Sequence, residues 1–249
     1  MKKRRLDERL VADGLFPTRT KAQAAILAGE VFVEGKAVLK AGAPVSSDSR
    51  VDFKSSRPSY VSRGGLKLES ALAALGVDVA GRVCLDIGAS TGGFTDCLLR
   101  RGASFVHAVD VGRAQIDLKI KSDPRVLSRE GLHAARIEPG MFSPEPDLAT
   151  IDVSFISLTK VLPAVARSLR RPFEILALVK PQFEVGPKLA PKGVVRSPEA
   201  RLLAVEKVRG VLDGLSLKEA ALFECPVRGP KGNVEYFLHL RNNSETEAG

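Results

Sequence analysis

The chain has 249 residues, 44% of them hydrophobic, and a formal net charge of +9. That length accommodates one large domain, or a large domain with a small companion, each able to bury a core. No run approaches the ~18 consecutive apolar residues of a membrane span, and the opening "MKKRRLDERL" has no apolar segment after its basic start, so a soluble, cytoplasmic protein without a membrane span is expected.

Cys84, Cys97 and Cys225 are odd in number and show no C-x-x-C spacing. They read as reduced thiols rather than disulfides or zinc ligands, and no metal is expected. The charge is uneven. Residues 1–57 carry 12 Lys/Arg against 7 Asp/Glu, more than half of the chain's positive excess. Composition alone leaves two readings of this module open: an electrostatic footprint for nucleic acid, or a solvated charged surface.

In chain order, "RLDERLVADG" predicts a short helix with Leu6, Leu10 and Val11 on one side, stopped by Gly14. "PTRTKAQAAILAGE" begins a second helix that ends at Gly29, "VFVEGKAV" alternates with Val31 and Val33 inward, and "SRVDF" offers another short strand. The elements "RLDERL", "TRTKA" and "GEVFVEG" resemble the S-four RNA-binding domain (α-L motif), an α+β module that this resemblance places at residues 1–57. The resemblance implies that Arg5, Arg19 and Lys21, with Arg4 and Lys36, face RNA.

Ser55, Ser56, Pro58 and Ser59 make a polar break, and residues 58–62 are expected to be a linker to a second domain at 63–249. The helix "GGLKLESALAALG" then has Leu68, Ala71, Leu72 and Leu75 on one face. From there strands alternate with helices: "RVCLDIG", "GGFTDCLLRRG", "SFVHAVDVG", a helix from Ala114, "RVLS", "DLATIDVS", "SLTKVLPAVARSL", "FEILALVK", a helix from Pro198, then "LKEAALFE" and "VEYFLHLR". This order predicts an α/β chain with a parallel sheet, helices on both faces and a final antiparallel hairpin. The tail "NNSETEAG" reads as frayed.

The stretch "VCLDIGASTGGFTDCLL" is close to two known loops. As Gly88-x-x-x-x-Gly93 it approaches a P-loop, but Phe94 stands where the phosphate-neutralising Lys belongs. As Gly88-x-Ser90-x-Gly92 it approaches a nucleophile elbow, and the order Ser90, Asp152, His239 exists, yet His239 falls inside an alternating strand. A third reading uses Asp110, at the end of the next strand, to accept both hydroxyls of an adenosine ribose. With Asp86 for a ligand amine and close glycine backbone for a carboxylate, these groups describe S-adenosylmethionine. A dinucleotide, or a purely structural role for Asp86, stays open at this point.

"DIGASTGGFTD", "IDVSFISL", "KPQFE" with "KGVVR", and "GNVEYF" together resemble the TlyA family of rRNA 2′-O-methyltransferases, relatives of FtsJ-type enzymes. With the S-four module the resemblance spans nearly the whole chain. It implies a Rossmann-like class I methyltransferase domain with a mostly parallel seven-stranded sheet, ribosomal RNA or ribosomal subunits as partner, and S-adenosylmethionine-dependent 2′-O-methylation of a cytidine ribose in small- and/or large-subunit rRNA. It places a catalytic tetrad on Lys67, Asp152, Lys180 and Glu235, and the cofactor loop on Gly88, Ala89, Ser90, Thr91, Gly92, Gly93 and Phe94 with Asp110. One departure is "REGLHAAR", which has His133 where relatives commonly carry Asn. The chemistry fits the residues, since a ribose hydroxyl is a poor nucleophile that must be held in line and relieved of its proton. Pro181, Pro187, Pro191, Lys188, Lys192 and Arg196 give the loop after "FEILALV" a basic character suited to RNA or to an ordinary surface loop. Two other function classes are weighed: an RNA-binding protein without methyl transfer, opposed by Asp110 and both lysines, and a haemolysin or cytolysin, opposed by the missing amphipathic anchor.

Overall fold

Apolar residues that alternate along short strands, and recur every three to four residues along the segments between them, divide this chain into two separate bodies. The computed structural model describes residues 3–27, 29–53 and 60–242. Its contacts fall into two units, Met1–Pro58 and Ser59–Gly249. The expected frayed tail and most of the polar break lie outside the described residues.

The first unit runs β1 (Lys3–Arg5), α1 (Leu6–Ala12), α2 (Arg19–Leu27), β2 (Val31–Val33), β3 (Lys36–Ala37), β4 (Pro44–Ser46) and β5 (Val51–Phe53). Leu6 and Leu10 of α1 meet Ala22, Ala25 and Ile26 of α2 over Val31 and Val45, and this small core takes up one side of each helix. Strand β1, which the helix pattern hides, pairs antiparallel with β4. Asp7 is fully buried in α1. A buried carboxylate requires partners, and it receives Arg5 Nη2 at 3.0 Å, Arg19 Nε at 2.9 Å and Gln23 Nε2 at 2.8 Å. The Arg5 hydrogen bond leads the causes that hold its carboxyl far below the usual carboxylate range.

The second unit runs α3 (Gly64–Leu75), β6 (Val83–Ile87), α4 (Gly93–Arg100), β7 (Phe105–Asp110), α5 (Leu118–Lys121), β8 (Val126–Glu130), β9 (Leu148–Ile151), α6 (Leu158–Arg167), β10 (Glu174–Val179), α7 (Pro181–Glu184), α8 (Pro198–Arg209), β11 (Leu217–Glu224) and β12 (Tyr236–Asn242). The strands form one seven-stranded sheet in the order β11-β12-β10-β9-β6-β7-β8. All neighbours are parallel except β12, which is antiparallel to both β10 and β11. The period of two sends Leu85, Ile87, Ile175 and Ala177 to one face, against α6 and α8. Cys84, Leu176 and Leu178 go to the other, with Leu68 of α3 and Leu98 of α4. The chain leaves β6 toward β7 and β8, then returns to place β9 on the other side of β6. The β6/β9 boundary is therefore the point where strand order reverses.

Two expectations are corrected. Residues 60–62 are not linker: Tyr60 is buried against Gly65, stacks under the Arg100 guanidinium at 4.7 Å, and Val61 N–H donates to Asp96 at 2.9 Å. A lone aromatic among serines is too short a pattern to reveal this docking. The helix expected from Ala114 is the four-residue α5, because Ala114 takes φ +54° and Asp117 caps the helix through Lys119 N–H. The three cysteines are free and buried, as their spacing suggests.

The end of the sheet remote from the glycine loop is pinned by charge. Arg82 bonds Asp147 at 3.0 Å and Glu174 at 2.7 Å, while Glu174 also meets His239 at 2.6 Å and Arg241 at 3.2 Å. The His239 hydrogen bond, joined by Arg82 and opposed by burial, holds the Glu174 carboxyl down to about 2. A depressed carboxyl stabilises the fold above its ordinary value, and that contribution disappears as pH falls through the folded value. Glu174→Gln should cost roughly 1–3 kcal/mol at neutral pH, with the deficit shrinking below about pH 4. Urea unfolding across pH checks this, and a pH-independent deficit would refute the electrostatic assignment.

Candidate active site

The loop after β6 can occupy the strand-order reversal only because of what its glycines lack. At Gly88 the backbone takes φ +84°, and a Cβ there would stand 2.4 Å from the Asp152 carbonyl oxygen at the end of β9. At Gly93 a Cβ would meet Ser62 Oγ at 2.1 Å, which lets α4 start hard against residues 62–65. Gly92 supplies the left-handed cap of α4.

Three cavities surround this loop. One of about 450 Å³ is lined by Gly88, Ala89, Ser90, Thr91, Gly93 and Phe94 together with Lys67, Asp152 and Lys180. A second, of about 510 Å³, shares Gly88, Ser90 and Asp152 with it and runs past Asp110 to Val111, Leu132 and His133. A third, of about 330 Å³, meets the first at Lys180 and Pro230 and includes Phe155, Gln182, Phe183 and Glu235.

Asp110 stands at the end of β7, where its two carboxylate oxygens accept Ser90 N–H at 2.8 Å and Gly112 N–H at 2.7 Å. These bonds fix its direction, and each oxygen retains a lone pair for a further donor. His133 is exposed and turns its Nδ1 to Ala135 N–H at 3.2 Å.

The four tetrad residues come together as two ion pairs. Lys67, on α3, meets Glu235 at 2.6 Å, with Glu235 fully buried just before β12. Lys180, at the end of β10, meets Asp152, at the end of β9, at 2.5 Å and also donates to Ser154 Oγ at 3.0 Å. Gln182, two residues after Lys180, reaches the other pair, its amide donating to Glu235 at 3.4 Å. Glu235 sits opposite Gly229, where a Cβ would come within 2.4 Å of its carboxylate.

Asp86 does not reach the cavity. It is fully buried beneath the loop, accepting Thr95 Oγ1 at 2.6 Å and Thr150 Oγ1 at 3.0 Å. With no surface exposed and its oxygens joining α4 and β9 to β6, Asp86 makes a structural tie in place of the expected contact with a ligand amine. Arg5 and Arg19 are likewise tied to Asp7 and Glu8, whereas Arg4, Lys21 and Lys36 are exposed and have no acidic partner among the described residues. Sequence reasoning missed several wall residues. Arg63 lies one helical turn before Lys67 and so shares its face, Arg228 lines the same cavity, and Phe155 is 91% exposed at φ +62° beside Phe183, ring centroids 5.0 Å apart.

Burial, with Asp152 nearby, pushes the Asp86 carboxyl up to about 7 against the pull of the two threonine hydroxyls. The sign is opposite to that of Glu174. Between about pH 4 and pH 7 the folded protein keeps a proton that the unfolded chain releases, so stability falls as pH rises through that window. Asp86→Asn should flatten this slope in denaturant titrations at about pH 4.5 and pH 7.5; a slope equal to wild type would assign it elsewhere.

The sequence profile of the FtsJ-like methyltransferase family matches residues 60–242, and that of the S4 domain matches residues 4–51. The 16S/23S rRNA (cytidine-2′-O)-methyltransferase TlyA of Mycobacterium tuberculosis is 42% identical over 243 residues, covering 97% of this chain and 91% of its own. Hemolysin A of Brachyspira hyodysenteriae is 40% identical over 238 residues, covering 95% and 99%. A solved protein of Streptococcus thermophilus that carries a hemolysin name superposes with a TM-score of 0.75 at 40% identity, over 98% of this chain and 90% of that one. The chain belongs to the FtsJ-like methyltransferase family, with an S4 domain preceding the methyltransferase domain.

Proposed function

We propose that this protein transfers the methyl group of S-adenosylmethionine to a ribose 2′-hydroxyl of ribosomal RNA, at a cytidine, as the name of the Mycobacterium tuberculosis relative states for that protein. The observation that carries the reading is the meeting of Lys180, Asp152, Lys67 and Glu235 beside the glycine loop at the strand-order reversal. The cytoplasm, where ribosomal subunits are, is the matching location.

The donor groups around the loop suit S-adenosylmethionine. Asp110 offers acceptors for ribose hydroxyls, Val111, Leu132 and Ile156 offer apolar walls for an adenine, and the exposed backbone at Gly88–Ser90 leads toward Lys180. When bound, the cofactor supplies an electrophilic methyl group. Asp110 is proposed to hold the cofactor ribose, and the loop Gly88–Phe94 to seat the remainder. Asp110→Ala removes a charged acceptor worth roughly 1.5–3 kcal/mol of cofactor affinity. Calorimetry giving wild-type affinity would move the ribose elsewhere.

Lys180 is proposed to hold the acceptor hydroxyl in line and to receive its proton as the oxygen–methyl bond forms, with Asp152 and Ser154 fixing the amine's direction. Lys67 places a second cation beside the reacting groups, kept in position by Glu235. Of the five residues expected to face RNA, Arg4, Lys21 and Lys36 are exposed cations with no acidic partner among the described residues and are available to phosphate, while Arg5 and Arg19 also pair with Asp7 and Glu8. The domain limits adopted for this reading are 1–57 and 63–249, with residues 60–62 added to the catalytic side.

The test is transfer of a radiolabelled methyl group to ribosomal subunits, with the modified nucleotide mapped. In single turnover at saturating cofactor and RNA, Lys180→Ala should lower the rate about 100-fold or more, the scale of a lost acid/base group. Lys180→Arg should fail nearly as badly because guanidinium stays protonated. Transfer by Lys180→Ala near the wild-type rate would end the tetrad mechanism, and RNA binding by the wild type without any transfer would leave only a binding protein.

A further inference from the structure

Asp152 and Lys180 sit just past the ends of adjacent parallel strands, beyond the last paired residues Ile151 and Ala177. The backbone ladder that aligns β9 with β10 therefore stops before it reaches the ion pair. Asp152 N–H still bonds the Ile87 carbonyl at 2.8 Å and Val179 still pairs with Tyr236, but no backbone ladder ties the segments that follow, 152–157 and 180–184, to each other.

The tie between them is Glu184, the last residue of α7 and 4% exposed. Its Oε1 accepts Leu158 N–H at 2.8 Å and its Oε2 accepts Ser157 Oγ at 2.5 Å, so one carboxylate joins the end of the Lys180 segment to the start of α6. Ser157 is itself the cap of α6, accepting Thr159 N–H at 3.3 Å. Negative charge at this helix N-terminus is favourable, since the first N–H groups there have no intrahelical partner. Lys207 of α8 closes the arrangement, donating to the Glu184 carbonyl at 2.6 Å and approaching its carboxylate at 3.6 Å. Between ladder and tie lie Asp152, Ser154 and Phe155 on one segment, and Lys180, Gln182 and Phe183 on the other. Phe155 holds a left-handed backbone conformation that a β-carbon disfavours, which requires that the segment be fixed at both ends.

We propose that Glu184 is a positioning residue for the methyl-transfer reaction, acting on the Lys180–Asp152 pair by tying together the segments that carry them. This rests on the methyl-transfer reading. Glu184→Ala removes both acceptors and leaves Leu158 N–H and Ser157 Oγ buried without them. Glu184→Gln can keep both contacts, its carbonyl accepting Leu158 N–H and its amide donating to Ser157 Oγ.

The experiment compares full-length wild type, Glu184→Ala, Glu184→Gln and Val165→Ala, the last a fully buried cavity variant in α6 that lowers stability without touching the tie. Single-turnover rate, S-adenosylmethionine affinity and amide hydrogen exchange over residues 152–158 are measured. Glu184→Ala should lose about ten-fold or more in rate, since small displacements of reacting groups are costly, with cofactor affinity within about two-fold of wild type and faster exchange over residues 152–158. Glu184→Gln should recover the rate to within about three-fold, and Val165→Ala should stay within about two-fold. A wild-type rate in Glu184→Ala, or an equal loss in Val165→Ala, overturns the proposal. If Glu184→Ala does not fold, Ser157→Ala removes one donor and should show a smaller rate loss of about three-fold, no loss overturning the proposal. If the wild type transfers no methyl group, the methyl-transfer reading falls and exchange alone decides the tie: faster exchange in Glu184→Ala supports it, and unchanged protection overturns it.

Discussion

The contact between Gly88 and the Asp152 carbonyl governs the site. With no β-carbon in the way, the turn after β6 lies directly on the end of β9, and the strand-order reversal becomes a shared wall instead of an open crevice. Cavities on the two sides of that wall then have Gly88, Ser90 and Asp152 in common. A ligand passing from Asp110 toward Lys180 must cross this backbone at close range. The same contact brings the Asp152 side chain to the mouth of the loop, where Lys180 meets it from the neighbouring strand.

The two lysines of the site are held differently, and burial explains the difference. Lys67 faces a fully buried Glu235, so its pairing answers the cost of removing both charges from water. Asp152 is partly open to solvent and lies on the cavity wall, but the Oδ1 that Lys180 faces is buried, so that oxygen depends on the Lys180 ammonium. Asp86 adds a layer below, binding α4 and β9 through two threonine hydroxyls and taking no part in the cavity surface.

Much of this was legible before any coordinates. The strand and helix order followed from periodicity, because each strand of the parallel sheet is buried on both faces and each helix on one. The loop residues and the tetrad were legible only as a set of motifs, since Lys67 and Glu235 are separated by most of the domain and nothing local tells a paired buried lysine from one that snorkels. Asp86 was misplaced because a strand-end acid looks alike in sequence whether it points to a ligand or to a hydroxyl beneath. Arg5 and Arg19 carry the same ambiguity, since an arginine bound for a buried acid such as Asp7 looks in sequence like one bound for phosphate. Tyr60 and Ser62 read as linker because docking against Gly65 and Gly93 leaves no periodic trace. The expected α5 is shortened because one residue, Ala114, takes a positive φ that the sequence pattern does not mark.

The sheet carries its charged ties at both ends, and they serve different ends. At the remote end, Glu174 joins Arg82, His239 and Arg241 and thereby fixes β10 and β12 away from the glycine loop. At the site end the ladder must release its strands so that side chains can converge, and every residue released there gains conformational freedom that works against a fixed geometry. Glu184 restricts that freedom from behind, through buried hydrogen bonds to the α6 cap rather than through the reacting groups themselves. The surface facing the cavities is consequently left to Lys180, Asp152, Ser154 and Phe155, while Glu184 itself lies outside the linings of the three cavities.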